Sequence, residues 1–143
     1  MRDQIEQTAT GGCGYLIIDD TPVAKTGHHI AGTWGHRLDA KTAYWGHRFV
    51  SALYVYGPYK VPLGYRLYCN KRHCQTSGRL FKSKIELALE LLADFVPPTG
   101  VSTAVLFDCW YNAPAMIHAV RRRGFHYVTR VRRSRGTFAP STC

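Results

Sequence analysis

Two short apolar runs that each end in aspartate constrain the fold of this chain more than any other feature. The first covers residues 13–21 and the second residues 103–108. A continuous apolar run of this length, bounded by turn residues, is typical of a strand buried on both faces of a sheet. We therefore expect two interior strands, the first closed by Pro22, with Asp19, Asp20 and Asp108 at their carboxyl ends.

The segment between these two strands contains predicted strands first and a helix later. Residues 26–42 form a connection rich in Gly and His. Residues 45–56 and 61–68 are aromatic and β-branched, and Gly57-Pro58 separates them, which predicts a hairpin. Residues 69–78 are polar, and we expect them to form a loop.

Two helices are predicted from spacing and capping residues. Apolar positions with a period near 3.6 indicate the first helix; they are Ile85, Ala88, Leu89, Leu92 and Phe95. Ser83 and Glu86 have the spacing of a capping box, and Pro97-Pro98 with Gly100 ends this helix.

The second helix follows the second acid-ending strand. Asn112 is its expected cap, Pro114 is tolerated in its first turn, and Gly124 ends it. Its apolar face is formed by Met116, Ile117 and Val120.

A last short strand is predicted at residues 125–131, which completes the order β-β-β-α-β-α-β. This order predicts an α/β fold with a mixed sheet, in which three strands form an antiparallel meander and crossovers follow. The crossovers should place the fourth strand beside the first and parallel to it. We divide the chain into a polar N-terminal segment (1–12), a core (13–133) and an irregular tail (134–143).

Composition favours a polyanionic partner and a reducing compartment. Nineteen Lys and Arg against nine Asp and Glu give a net charge of +10, which suggests nucleic acid. We find neither an apolar signal region near Met1 nor a run long enough to span a membrane. The five cysteines are an odd number, so we interpret them as reduced thiols of a cytoplasmic protein.

The strand-ending acids are the residues best suited to chemistry. If the first and fourth strands are neighbours, Asp19 and Asp108 converge, and their mutual repulsion is relieved by a hard divalent cation such as Mg²⁺ or Mn²⁺. Two such ions can activate an attacking oxygen and stabilise a leaving one at a phosphodiester. The competing interpretation is that strand-end acids only cap turns or helices.

The motifs around these acids resemble those of DDE-type insertion-sequence transposases. Residues 17–27 are similar to the family's first-acid motif, an Asp-x-Thr at the end of the first strand, and residues 106–111 to its second-acid motif. Residues 46–51, 62–68 and 124–130 are similar to the family's middle and fifth strands. The resemblance covers roughly residues 14–133, and the order and spacing of the motifs carry it.

This resemblance implies a ribonuclease-H-like fold and cut-and-paste transposition of an insertion sequence. Water activated at the metal site nicks the element end, and the released 3′ hydroxyl then attacks target DNA. Asp19 maps to the first metal ligand, with Asp20 as the alternative, because alternation puts the two on opposite faces of the strand. Asp108 maps to the second ligand, and the cofactor is a pair of Mg²⁺ or Mn²⁺ ions. The resemblance further implies a homodimer that acts on paired element ends.

The sequence departs from the family at the third acid. That acid is a Glu on a helix beyond the fifth strand, whereas no Asp or Glu follows Asp108 here. We therefore expect a catalytic-core fragment without the C-terminal catalytic helix, inactive alone. The alternatives are a basic nucleic-acid-binding module without catalysis and another ribonuclease-H-like nuclease.

Basic residues near the C-terminus are candidates for contact with the DNA backbone, since arginine binds phosphate through charge and paired hydrogen bonds. The predicted DNA-binding residues are Lys25, Arg121, Arg122, Arg123, Arg130, Arg132 and Arg133. The alternative for the arginines is a solvated helix end, where cations also suit the helix dipole. Lys25 could equally be an ordinary loop lysine.

Overall fold

The computed structural model describes residues 12–27, 29–37 and 43–131. The strands are β1 (Gly12–Ala24), β2 (Trp34–Arg37), β3 (Ala43–Tyr56), β4 (Tyr59–Tyr68), β5 (Val101–Phe107) and β6 (His126–Thr129). The helices are α1 (Lys71–Ser77), α2 (Lys84–Asp94) and α3 (Pro114–Arg122), with one turn of 3₁₀ helix at Cys109–Tyr111. No helix within these ranges is long and apolar enough to cross a bilayer.

The strands form one mixed six-stranded sheet, which confirms the predicted α/β class. β1 lies between β3, to which it is antiparallel, and β5, to which it is parallel. β6 continues the sheet in parallel beyond β5. β4 and β2 pair with different parts of β3, both antiparallel. The predicted parallel neighbour relation between the first and fourth predicted strands is therefore confirmed, with β5 as the fourth.

β1 and β2 differ from the sequence prediction. Pro22 does not close the first strand; β1 continues to Ala24, and Pro22 pairs with Arg48. Beyond Ile18, β1 has no further pairing with β5, so proline lies where one side of the strand carries no ladder. β2 lies within the predicted connection, and its four residues are too few to show a recognisable period.

The helices show two further corrections. The predicted loop at residues 69–78 contains α1, whose cap Asn70 accepts a hydrogen bond from the His73 amide and which ends at left-handed Gly78. Asn112 does not cap α3: its N-cap is Ala113, without a side-chain hydrogen bond, and Asn112 instead ends the 3₁₀ turn. That turn begins at Asp108, whose carboxylate caps it.

Other local predictions are confirmed. Ser83 and Glu86 form the full capping box of α2, with both reciprocal hydrogen bonds. Gly57 has a positive φ of 54° at the β3–β4 turn, as the hairpin requires. α3 buries Met116 and Val120, two of the three predicted apolar positions, and Ile117 is half-buried.

The core lies between one face of the sheet and the helices α2 and α3. The sheet contributes buried side chains from every second position of its central strands, including Leu16, Ile18, Val50 and Phe107. The helices contribute the remaining buried residues, among them Leu87, Ala88, Leu91, Leu92, Met116 and Val120. Because side chains alternate between faces, residue 20 of β1 is in phase with the core and residue 19 is on the opposite face.

Candidate active site where the ladder of β1 and β5 ends

The register of the sheet brings Asp19 and Asp108 to the same rim. Ile18 pairs with Phe107 in the parallel ladder, and the two aspartates are the next residues along their chains. Adjacent strands lie about 4.8 Å apart, so the backbones of these two residues are close neighbours. This juxtaposition is what the chemical prediction requires, since the acids are 89 positions apart in sequence.

Both acids line one open cleft of about 310 Å³ on the sheet face opposite to the helices. We call it the acid cleft; its lining residues are Ile17, Ile18, Asp19, Leu106, Phe107, Asp108, Val128, Thr129 and Arg130. Asp19 Oδ1 accepts a hydrogen bond from the Asp20 amide at 2.8 Å. Asp108 Oδ1 accepts one from the Cys109 amide at 2.7 Å. Each carboxylate is exposed, yet each is held by the amide of the following residue.

Asp20 lies on the other side of the sheet in an ion cluster with Arg48 and Lys84. Its Oδ2 is 2.7 Å from Lys84 Nζ and 3.4 Å from Arg48 Nε. The side chain of Asp20 is 17% exposed and that of Lys84 is 11% exposed. A carboxylate held by two cations inside a packed region is already charge-compensated. Of the two alternatives for the first acid, Asp19 lines the cleft of Asp108, whereas Asp20 lies in the ion cluster on the other face.

Tyr111 lies beneath this cluster. Its side chain is fully buried. Burial raises the pKa of its phenol strongly, and the negative charges of Asp20 and Asp19 raise the pKa further. The Tyr111 hydroxyl therefore stays protonated far above neutral pH, as a neutral group beside Asp20.

Sequence reasoning missed Arg48 and Lys84. Arg48 is in phase with the buried positions Val50, Ala52 and Tyr54 of β3, and a cation in a buried phase signals a hidden partner. Lys84 is the first residue of α2, directly after the cap Ser83. Nothing in the local pattern distinguishes it from a solvated lysine, because its partner Asp20 is 64 positions away.

The predicted DNA-binding residues differ in their surroundings. Arg130 is exposed and lines the acid cleft. Lys25, Arg121 and Arg122 are also exposed. Arg123 instead donates to the backbone oxygens of Leu92 and Phe95 at the end of α2, so its guanidinium is used in packing. Arg132 and Arg133 lie outside the described residues.

The ligand set visible at the rim is the pair of aspartates. Within residues 12–27, 29–37 and 43–131, no group of three or more His, Cys, Asp or Glu side chains is close enough to hold a metal. Two carboxylates on neighbouring strands nevertheless offer oxygen donors of the kind that Mg²⁺ and Mn²⁺ prefer. The described residues thus fit a partial divalent-cation site.

Comparison with known proteins gives one match. A family model described as DDE superfamily endonuclease matches residues 1–142. No curated protein and no solved structure matches the chain significantly. Since the family model covers nearly all of the 143 residues, the chain belongs to the DDE superfamily endonuclease family.

Proposed function

We propose that this chain is the catalytic core of an insertion-sequence transposase, which cuts and joins DNA strands at a divalent-metal site formed by Asp19 and Asp108. The observation that carries the proposal is the shared cleft of these two acids, which directly follow the last paired residues of the parallel β1–β5 ladder. Ligand sites of open α/β sheets lie outside the carboxyl ends of strands in the same way.

A ribonuclease-H-like arrangement is part of the proposal. In its support, three antiparallel strands, β4, β3 and β1, are followed by parallel β5 and β6 in the same sheet. β2 is an addition that pairs with the start of β3. Helix α2 joins the antiparallel part to the parallel part, and α3 joins β5 to β6.

DDE-family endonucleases generally use divalent metals, and the two aspartates are suited to hold one. A bound pair of Mg²⁺ or Mn²⁺ ions would polarise the attacking and the leaving oxygen of the phosphodiester. Asp19 and Asp108 each have one oxygen held by the following amide, which fixes the carboxylate orientation at the rim. No Asp or Glu follows Asp108 in the sequence, so we propose weak metal binding and little cleavage by this chain alone.

The DNA would be held by exposed cations, of which Arg130 lies at the acid cleft. Arg130 lines the cleft itself, where a guanidinium can bind a phosphate with two hydrogen bonds. Lys25, Arg121 and Arg122 are exposed and would add contacts with the backbone that carry no sequence preference. The net charge of +10 favours the approach of DNA over a longer range.

The proposal is tested by Mn²⁺ binding, followed by calorimetry and by the thermal stability of the chain. We expect wild-type affinity on the order of millimolar, as for weakly liganded oxygen sites. At a Mn²⁺ concentration tenfold above the dissociation constant, binding should add about 1.4 kcal/mol to the free energy of unfolding. Asp19→Asn and Asp108→Asn should each remove this increment.

Asp20→Asn is the matched control, because it changes the neighbouring aspartate by the same one-atom substitution on the opposite face. We expect it to retain Mn²⁺ binding, whatever its effect on stability without metal. Retained Mn²⁺ binding in both Asp19→Asn and Asp108→Asn would contradict the site assignment. It would favour the alternative function, a basic DNA-binding module without catalysis. In a family member that cleaves DNA, Asn at the two matching positions should abolish cleavage and spare DNA binding.

A further inference from the structure

The end of β4 and the helix α1 bring two cysteines together. Cys69 directly precedes Asn70, the N-cap of α1, and Cys74 is the fourth residue of that helix. At these two positions, one before the cap and four after it, apolar side chains often pack against each other and fix the direction in which the chain enters the helix. In this chain both positions are cysteine, so the same local geometry pairs two thiols.

The contacts of the two cysteines show that they are close neighbours. The Cys74 thiol donates a weak hydrogen bond to the Cys69 carbonyl oxygen, with 3.9 Å between sulfur and oxygen. A carbonyl oxygen lies within about 2.8 Å of its own Cα, so this sulfur is less than about 7 Å from the Cys69 Cα. Burial is the main cause that raises the pKa of the Cys69 thiol, and the Cys74 thiol raises the pKa further, as expected for neighbouring groups.

Both cysteines line a cavity of about 130 Å³, which we call the thiol cavity. Its other lining residues are Leu67, Arg79, Leu80, Lys82 and Leu87. Cys74 is 3% exposed, whereas Cys69 is partly exposed, so a reagent in solution reaches Cys69 first. The guanidinium of Arg79 hydrogen-bonds with the Cys69 thiol and acts against burial by lowering its pKa. A cation is therefore in place to stabilise the Cys69 thiolate, which is the reactive form of a cysteine.

We propose that Cys69 and Cys74 form a reversible disulfide when the chain meets a small-molecule disulfide such as glutathione disulfide. The Cys69 thiolate attacks one sulfur of the reagent, the S–S bond of the reagent breaks, and one glutathione leaves as a thiolate. The Cys74 thiolate then attacks the Cys69 sulfur of this mixed disulfide and releases the second glutathione. The two protein thiols lose two electrons and two protons, and the two glutathione thiols gain them.

The disulfide would fix α1 at the point where three elements meet. It joins the residue that follows β4 to the buried residue of α1. Tyr68, next to Cys69, packs edge-on against Phe81, which lies shortly before α2. Leu87 of α2 lines the thiol cavity as well. A covalent bond at this position therefore restrains α1 against both β4 and α2.

Peptide mapping tests the proposal, because trypsin cleaves after Lys71 and Arg72 and so places the two cysteines on separate peptides, 67–71 and 73–79. The reduced chain is equilibrated with glutathione and glutathione disulfide at a fixed ratio. Free thiols are then alkylated with iodoacetamide, and the chain is unfolded and digested. Mass spectrometry measures the ratio of joined to separate peptides. We expect the joined pair to be the main oxidised product of these two cysteines.

The same equilibration in urea shows whether the fold is responsible. We expect the ratio of joined to separate peptides to be about tenfold higher in the folded chain, because the fold raises the effective concentration of one thiol at the other. Exposed Cys13 is the internal reference, since its reaction with glutathione shows that the reagent has acted in both samples. Absence of the joined pair, or an equal ratio in urea, would overturn the proposal.

Two alanine variants of the same region test whether the entry into α1 positions the thiols. Asn70→Ala keeps both cysteines and removes the side chain that accepts a hydrogen bond from the His73 amide. It should lower the ratio about fivefold, the usual effect of losing a helix cap. Gln75→Ala is the matched control, because Gln75 is exposed in the same helix, and it should keep the wild-type ratio. An unchanged ratio in Asn70→Ala, or an equal fall in both variants, would contradict the proposed geometry.

This inference goes beyond the proposed function and fails separately from it. Neither cysteine lines the acid cleft. Cys74→Ser should therefore abolish the joined peptides and leave Mn²⁺ binding at the wild-type level. Conversely, Asp19→Asn should remove Mn²⁺ binding and leave the ratio of joined to separate peptides unchanged. A joined pair that persists in Cys74→Ser would mean that Cys69 bridges to another cysteine, which overturns the assignment of the pair.

Discussion

Asp19 and Asp20 are neighbours in the chain, yet they lie in opposite environments. Asp19 faces the open acid cleft with Asp108, and its side chain is exposed. Asp20 faces the helices, where Lys84 and Arg48 hold it and Tyr111 lies beneath. A one-residue step along a strand reverses the face of the side chain, so two adjacent carboxylates lie in different surroundings.

The separation of Asp19 from Asp20 explains how the rim can hold two acids that repel each other and remain folded. A site that collects negative charge is destabilising until a cation binds. The Asp20 cluster fixes β1 to the start of α2 through an ion pair that is mostly shielded from water. We infer that the contacts of Asp20 hold the rim in position and that the exposed carboxylates of Asp19 and Asp108 are available to a ligand.

The largest loss of stability is expected from Lys84→Met, which leaves Asp20 paired with Arg48 alone. Removing one partner of a shielded ion pair leaves an incompletely compensated charge, so the free energy of unfolding should fall by about 2–3 kcal/mol. Urea denaturation at neutral pH measures the change. Asp19→Asn, on the exposed side, should change stability by less than about 0.5 kcal/mol without metal.

Lys82→Met is the matched control for this substitution. Lys82 pairs with Glu90, but its side chain is 42% exposed, against 11% for Lys84. A screened pair of this kind contributes at most about 1 kcal/mol. Equal losses of stability in Lys82→Met and Lys84→Met would show that the Asp20 cluster is no more shielded from water than a surface pair. Asp19 and Asp20 would then not lie in opposite environments.

An intermediate effect is expected from Tyr111→Phe. The substitution keeps the buried ring and removes a buried hydroxyl that has no hydrogen-bond partner within the described residues, so the free energy of unfolding should rise by about 1 kcal/mol. Because Tyr111 acts on the Asp20 side, Mn²⁺ affinity should change by less than about twofold. The check is denaturation together with Mn²⁺ titration. A loss of metal binding as large as that of Asp19→Asn would mean that the two sides of β1 are coupled.

The strands and helices that dominate the fold could be predicted because their signals are local. The apolar runs ending at Asp19 and Asp108 predicted β1 and β5, and the Ser83–Glu86 spacing predicted the start of α2. β2 and α1 were missed because a four-residue strand and a seven-residue helix are too short to show a period. The only local signals for α1 were its cap residues, Asn70 and Gly78.

The candidate site was predictable only in part, because its decisive contacts are between distant residues. The run before Asp19 is apolar at both Ile17 and Ile18, so alternation gave no phase and left Asp19 and Asp20 equivalent. The pairing of β1 with β3 and β5 sets that phase. The cluster of Asp20, Arg48 and Lys84 likewise depends on the packing of α2 against the sheet.

The smallest effect is expected at an exposed reference cluster, formed by Glu90 with Lys82 and Arg66. The hydrogen bond from Lys82 is the main cause that lowers the pKa of Glu90 below its ordinary value of 4.5, and Arg66 lowers it further. A carboxyl group with a lowered pKa stabilises the fold above pH 4.5, and this contribution is lost as pH falls through the lower folded value. Glu90→Gln should therefore lower the free energy of unfolding by about 0.5 kcal/mol at pH 7, a small value because solvent screens the pair. Near pH 2, where Glu90 is protonated, the substitution should have no effect. Urea denaturation at the two pH values measures the difference. If Glu90→Gln still lowers the free energy of unfolding near pH 2, Glu90 stabilises the fold through packing. The Glu90 cluster could then not serve as the exposed ion-pair reference for the Asp20 cluster.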